Sequence, residues 1–462
     1  MTRLLIRNVE IEGHAGLDVR ISSGRIINIG AGLTHPGAEE IDGRGGALIP
    51  GLADHHIHLF ALAAQAESLT LDGVDSAREF GSRIAAALQY RPPGRWLRVT
   101  GYHEAMAGEL GRDILDAVAP HHAIRVQHQT GSLWVLNSAA LEAVGAEAAL
   151  ASCIEKDVAG RPTGRIWRGD AWLRTRLADA PPSLAAVGRQ LASFGITAVT
   201  DASVTTDADA AARLAAAVRS GEIPQRLQLM SGGPLEAPAD GAFEVGPVKV
   251  LLDDHDLPPL DDFIAWIGRA RTWDRPVAVH CVTAAELAVT MAAFEAAGAL
   301  LGDRIEHGGV IPAEAIPVIR DLALTVVTQP AFVAERGDRY LAEVDPAEHA
   351  DLYRCASLRA AGVPVAASSD APYASPDPWL GVTAAVSRRT KAGRRLCETE
   401  RISAAEALSM YLGDPASTGG ASRRVEVGKR ADLCLLKAPL PEVLAAPSAD
   451  LVAATIVGGL RV

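Results

Sequence analysis

Between residues 47 and 370 the chain alternates short apolar runs with Ala-rich amphipathic stretches, and this alternation constrains the fold more than any other feature. Strand–helix alternation implies βαβ units, whose crossovers make the strands parallel. The candidate strands are 47–54, 124–128, 196–201, 248–253, 277–280, 303–307, 324–329 and 363–370. Eight is the number that closes a (β/α)8 barrel, or TIM barrel. The interval from Leu59 to Ile124 is too long for one crossover, so an inserted segment is expected around 59–124.

Both chain ends read differently. Leu4-Leu-Ile-Arg-Asn-Val-Glu-Ile is a strand, and residues 17–30 form a hairpin around Ser22-Ser23-Gly24. Residues 425–436 read as strand-turn-strand, and 453–462 close with a further hairpin. Two β-rich ends around a long βα middle predict a small composite β-sandwich domain, 1–49 plus 422–462, beside a barrel over 50–421.

Composition narrows the function classes. The 462 residues exceed most single compact domains, and 48% hydrophobic with 22% charged residues is an ordinary globular balance. The formal net charge of −12 argues against a nucleic-acid partner, because phosphate contacts need clustered Lys and Arg. The densest basic stretch, Arg388, Arg389, Lys391, Arg394 and Arg395, is short and suits a solvated helix face or a subunit contact. No apolar run reaches the ~18 residues of a membrane span. The 5 cysteines are scattered without a CxxC pair, and the N-terminal stretch lacks the apolar core of a secretory leader, so a cytoplasmic protein with reduced thiols is expected.

The chemistry gathers at the strand ends. The first strand finishes Asp54-His55-His56-Ile57-His58, the fourth carries Lys249, the fifth ends at His280, the sixth at His307 and the eighth at Asp370. A (β/α)8 barrel brings its C-terminal strand ends to one mouth. His56 and His58 stand two apart, which on a strand puts both imidazoles on one face, about 6–7 Å apart along the chain. Imidazoles with a carboxylate suit zinc, or cobalt, manganese or nickel. A lone His-x-His would as readily be a loop or core pair, but His280, His307 and Asp370 at three other strand ends favour a metal centre.

Lys249 lies among apolar residues, where an ammonium resists desolvation unless paired or neutralised. Carboxylation by CO2 would turn it into an anionic metal bridge, and pairing with Asp253 or Asp254 is the alternative. Asp370 could take the proton of an activated water and pass it to a leaving group; an N-cap or Asx-turn role is the plainer option. His128 and Trp134, near the expected second strand end, and Trp379 are candidates for the substrate pocket, although core packing also suits Trp379.

These residues, in this order, resemble the amidohydrolase superfamily: Ile49-Pro-Gly-Leu-Ala-Asp-His-His-Ile-His, Lys249, Val279-His280, Arg304-Ile-Glu-His307, Ser368-Ser-Asp370-Ala-Pro and Gly428-Lys-Arg-Ala-Asp-Leu. Asn137-Ser-Ala-Ala-Leu and Ala384-Ala-Val-Ser-Arg-Arg-Thr are similar to stretches of its N-substituted formamide deformylase-like (amidohydrolase 3) branch. The layout is also similar to that of the thiocarbamate (molinate) and phenylurea hydrolases. Two departures stand out: Gly131-Ser132 replaces the Gly-His step common in the deformylase-like branch, and His56 is kept where phenylurea hydrolases carry Asn.

The resemblance implies hydrolysis of a non-peptide C–N bond of a small molecule by metal-activated water, in an amide, formamide, carbamate, thiocarbamate or urea-like group. It implies that His56, His58 and Asp370 bind one metal ion, that His280 and His307 bind a second, and that a carboxylated Lys249 bridges them. The expected partners are the small-molecule substrate and further copies of the chain, as a dimer or tetramer. A lactone, ester or phosphotriester hydrolase would use the same metals. A nucleobase deaminase would carry Glu three residues beyond His280, where this chain has Thr283. A non-catalytic scaffold would be expected to have lost ligands, and all six candidates are present.

Overall fold

A computed structural model of the chain describes residues 3–71, 73–89, 91, 96–169, 172, 173, 175–177 and 182–462. The chain divides into two compact units, Met1–Leu59 with Leu184–Val462, and Phe60–Ser183.

The first unit contains eight parallel strands in one sheet: β1 (Leu52–Ile57), β2 (Ile196–Asp201), β3 (Arg226–Ser231), β4 (Glu244–Val250), β5 (Val277–Cys281), β6 (Arg304–His307), β7 (Thr325–Thr328) and β8 (Val365–Ala367). They lie in sequence order from β1 to β8, each paired in parallel with the next. No ladder joins β8 to β1. The gap is spanned just past the strand ends, where Asp370 N–H donates to the His56 carbonyl at 2.8 Å and His58 N–H to the Ala371 carbonyl at 2.9 Å. Below them Ser369 N–H donates to Asp54 Oδ1 at 3.0 Å, and its hydroxyl donates to Oδ2. The result is a nearly closed barrel whose closing contacts involve the backbone of the predicted ligands His56, His58 and Asp370. Burial lifts the Asp54 carboxyl to about 6, against the pull of its hydrogen bonds from Ser369.

Seven of the eight expected barrel strands are present, and one is replaced. The second barrel strand is Ile196–Asp201, not 124–128, and Arg226–Ser231 enters as the third. The physical difference lies in burial. β1 and β2 are buried at every residue, as barrel strands covered on both faces must be, whereas Ile124–His128 alternates buried with half-buried positions. That alternation belongs to a sheet with two unlike faces.

Phe60–Ser183 is such a unit. Its six-stranded mixed sheet runs in the order Ile154–Lys156, Pro162–Trp167, Leu133–Leu136, Ile124–His128, Leu97–Tyr102, Leu69–Thr70. The insertion expected at 59–124 therefore extends to residue 183. One face buries Leu97, Val99, Ile124 and Val126 with Phe80 and Ile84 of the helix Ala77–Leu88. Asn137 rivets the unit from within. Its Oδ1 accepts from Ile124 N–H and Ala140 N–H, and its amide donates to the carbonyls of Ala119 and His122. The Asn137-Ser-Ala-Ala-Leu stretch is thus a helix cap and a structural anchor.

The chain ends form two four-stranded sheets. One takes Arg3–Ile11, His14–Ser22, Arg25–Gly30 and Glu39–Asp42; the other takes Leu48–Pro50, Leu433–Leu436, Val452–Val457 and Leu460–Arg461. Their side chains share one buried cluster, in which Ile6, Val19 and Ile26 meet Leu433, Leu435 and Ile456. Residues 425–432 lie outside named strands, so only the second half of the expected strand-turn-strand is regular. The basic stretch is no uniform solvated face: Arg388 is fully buried and donates to the carbonyls of Leu352, Tyr353 and Leu396. Among the described residues no helix is long and apolar enough to cross a membrane.

Candidate metal centre

His56 and His58 straddle the end of β1, where the strand opens into the barrel mouth. Asp201, at the end of β2, fixes the turn by accepting from Leu59 N–H at 2.8 Å and Ser203 N–H at 3.0 Å. His307 and Asp370 end β6 and follow β8 in left-handed backbone, with φ of 70° and 54°. Non-glycine residues rarely occupy that region, and functional sites are where such strain collects.

The imidazole nitrogens and the carboxylate of His56, His58 and Asp370 offer three ligand atoms within 4.8 Å of one another. His58 Nε2 lies 3.2 Å and His56 Nε2 3.5 Å from Asp370 Oδ1. His307 approaches the other carboxylate oxygen at 3.8 Å. The His280 ring centroid is 4.5 Å from that of His307, which is 4.8 Å from that of His56. The five predicted ligands on β1, β5, β6 and after β8 are therefore gathered at one place, with Lys249 on β4 facing the same carboxylates.

The Nδ1 atoms of three rings are already engaged; that of His307 is also the nitrogen nearest Asp370. His56 Nδ1 meets the Glu306 carboxylate, His307 Nδ1 meets Gln329 Oε1 at 3.0 Å, and His58 Nδ1 meets Ser203 Oγ at 3.1 Å. A carboxylate or amide oxygen only accepts, so His56 and His307 donate from Nδ1. Burial is the first cause that holds both rings well below the ordinary histidine range, followed by Lys249 for His56 and by the neighbouring histidines His280 and His56 for His307. His56 is therefore neutral, with its lone pair on Nε2.

That lone pair points at Asp370 Oδ1, a buried carboxylate oxygen that His58 Nε2 also approaches. Two acceptors face each other with no proton between them. A cation between them removes the conflict, and imidazole with carboxylate is a donor set for zinc-like ions. The residues present fit a divalent metal.

Charge elsewhere in the cluster is consistent with this. Burial pushes His280 down to about 3, with Lys249 as the next contributor. For His58, burial is the largest influence and opposes protonation, but the hydrogen bond and charge of Asp370 outweigh it and leave the group raised. Lys249 is 3% exposed, and its Nζ has no hydrogen-bond partner. Burial lowers its proton affinity, against attraction from Glu306 and Asp370. The alternative pairing with Asp253 or Asp254 does not form as a hydrogen bond.

The predicted substrate contacts fare differently. Trp379 is fully buried in the helix Pro378–Ser387, and its indole N–H donates to the Phe194 carbonyl at 3.0 Å. It is a core residue and not a pocket wall. Trp134 is 5% exposed and packs in the core of the Phe60–Ser183 unit, with the guanidiniums of Arg98 and Arg125 over its ring. His128 bonds Glu104 and Thr130 and stacks on His103 within the same unit. Thr283, where a deaminase would need its Glu, is the N-cap of the helix Ala284–Ala297 in a capping box with Glu286.

Sequence reasoning missed the residues that hold the ligands: Glu306, Gln329, Ser203 and Asp201. Arg304 and Glu306 alternate with Ile305 on a strand that ends at His307, and that pattern of two charges on one strand face was the available signal.

A family model described as the amidohydrolase family matches residues 39–462. N-substituted formamide deformylase of Arthrobacter pascens is 27% identical over 93% of this chain and 92% of its own length. A putative amidohydrolase of Bacillus subtilis (strain 168) is 24% identical over 81% of this chain and 80% of its own. Among solved structures, an uncharacterized metal-dependent hydrolase from Pyrococcus furiosus superposes with a TM-score of 0.74, at 22% identity over 93% of this chain and 97% of that one.

Proposed function

The chain belongs to the amidohydrolase family, and from that premise we propose that it hydrolyses a non-peptide C–N bond of a small molecule at the centre formed by His56, His58, Lys249, His280, His307 and Asp370. The observation that carries the proposal is the convergence of His56 Nε2 and His58 Nε2 on one buried carboxylate oxygen of Asp370. The similarity to a formamide deformylase supports an amide or formamide as the bond cleaved. We read the two terminal sheets as a composite β-sandwich accompanying the barrel.

A divalent ion held there, most simply zinc, supplies a Lewis acid for the carbonyl and makes water acidic enough to react near neutral pH. His56, His58 and Asp370 would hold one ion; His280 and His307, with Lys249 carboxylated, would hold a second. The chain's own chemistry is proton transfer and orientation. Asp370 takes a proton from water through a carboxylate oxygen and returns it to the leaving nitrogen. Its backbone N–H is pinned to the His56 carbonyl, so base and ligand keep a fixed spacing. The buried surroundings strengthen each of these charge interactions.

The test is a metal analysis of protein purified without chelator, joined to an activity screen over N-formyl amines, N-acyl amines, ureas and thiocarbamates, with lactones and phosphotriesters as controls. The proposal expects bound metal, activity on a C–N substrate, and loss of both on chelation. Activity confined to the controls would replace it with an ester or phosphotriester reading, and metal-free protein that stays inert on adding zinc, cobalt, manganese or nickel would end it.

A further inference from the structure

The metal-centre reading explains the six ligands but leaves a charged pair beneath them without a purpose. Arg304 and Glu306 are 1% and 0% exposed, on a strand buried at every residue. Apolar side chains of the same volume would serve the core at least as well, since a buried ion pair gains little over a hydrophobic replacement. Its contacts are directed. One Glu306 oxygen takes the Arg304 Nε–H, and the other takes the His56 Nδ1–H. Arg304 Nη2 donates to the His55 carbonyl at 3.0 Å, and Nη1 donates to the Thr418 hydroxyl at 3.0 Å. Thr418 donates onward to the Pro415 carbonyl at 3.0 Å.

We propose that Arg304 and Glu306 form a positioning dyad for His56, gripping its ring through Nδ1 and its main chain through the His55 carbonyl, so that Nε2 is presented to the metal. The dyad acts on His56 by two routes, one from each side chain. Glu306 orients the imidazole about its ring axis and sets which nitrogen carries the proton. Arg304 fixes where the carboxylate sits and where the strand carrying His56 sits. The remaining guanidinium contacts, with Thr418 and with Met230 Sδ at 3.8 Å, anchor the dyad to the loop beyond the barrel and to β3. Glu306 also lies one residue before His307, so the strand that supplies one ligand supplies the orienter of another. Partners of this kind on a ligating histidine typically govern metal affinity by 10–100-fold.

The inference rests on the metal-centre reading, and the experiment separates the two. The full chain is stripped of metal, and its affinity for zinc and for cobalt is measured by competition with a chromophoric chelator. The proteins compared are wild type, Glu306→Gln, His56→Ala and the double variant. Glu306→Gln should weaken zinc binding by about 10–100-fold, and the same change in the His56→Ala background should have less than about a 2-fold effect, because the group it acts through is gone. An equal loss in both backgrounds, or no loss in either, overturns the dyad and leaves the metal centre standing. Wild type that binds neither ion overturns the metal centre itself. Should Glu306→Gln fail to fold, a crystal structure of the zinc-loaded wild type decides. His56 Nε2 on the ion with Nδ1 on Glu306 supports the dyad, and a Glu306 carboxylate bound to the ion refutes it.

Discussion

Replacing Lys249 with Met should stabilise the metal-free protein and destabilise the metal-loaded one. The wild-type amine is 3% exposed on β4 and has no hydrogen-bond partner. Leaving such a group unsatisfied costs about 1–3 kcal/mol. Met has similar length and volume, so the packing change costs under about 1.5 kcal/mol. The net expectation is a gain of roughly 1–2 kcal/mol, or about 2 °C in a unit of this size. The direction follows from the lowered proton affinity of Lys249, in which burial outweighs the attraction of Glu306 and Asp370. A lysine whose folded value is depressed contributes fully only above its ordinary value of 10.5, and that contribution is lost as pH falls toward the folded value. The advantage of Lys249→Met should therefore be largest near neutrality and shrink, by at most about 1.4 kcal/mol per pH unit, as pH rises toward 10.5. With metal the sign reverses, since saturation at one hundred times the dissociation constant stabilises by about 2.7 kcal/mol, more than the roughly 1–2 kcal/mol gained, and a variant that no longer binds forfeits it. The assay is the thermal midpoint in chelator and CO2-free buffer, then with saturating zinc, between pH 7 and pH 10. A variant less stable than wild type in chelator, or an advantage that does not shrink with pH, would show that the amine is already satisfied and refute the reasoning.

Three further outcomes are expected. Asp370→Asn should lower kcat by about 10²–10⁴-fold while the chelated protein keeps its thermal midpoint, measured by steady-state kinetics beside calorimetry. Asn137→Ala should destabilise the Phe60–Ser183 unit by at least ~3 kcal/mol, since it strands two buried N–H and two carbonyl groups; protease cuts appearing first within 60–183 would report it. Gly381→Ala should cost about 1–3 kcal/mol although Ala favours helices, because a Cβ there overlaps the Tyr411 hydroxyl; Tyr411→Phe in the same chain should recover most of the loss, and a stabilising single variant would contradict the packing.

The ligands were legible in the sequence and their supports were not, for one physical reason. A histidine or aspartate at a strand end is conspicuous against apolar neighbours, and barrel geometry alone carries such residues to one mouth. His56, His58, His280, His307 and Asp370 needed no pairwise information to be placed together. Ser203 and Gln329 act through a single hydrogen bond each, and only the folded chain brings Ser203 to His58 or Gln329 to His307. The third barrel strand was hidden likewise. Arg226-Leu-Gln-Leu-Met-Ser puts Gln228 on a buried strand, where it faces the Thr200 hydroxyl at 3.2 Å, so a barrel position reads as half-polar. The strand wrongly assigned to the barrel, Ile124–His128, has the opposite character: Arg125 and Gln127 really lie half-exposed on one face of another sheet.

Arg304 and Glu306 mark the boundary between these cases. Their alternation with Ile305 and His307 was visible, and in a barrel strand it puts both charges on one face. What no spacing could supply was the partner, because His56 lies 250 positions earlier in the chain. A charged pair on a barrel strand immediately before a ligand is therefore informative even when its partner is unknown. Two charges are retained in a dry interior only where something is held by them, and the nearest thing to hold is the neighbouring ligand set. Here that logic leads from Glu306 to His56 Nδ1, and from there to the nitrogen left facing Asp370.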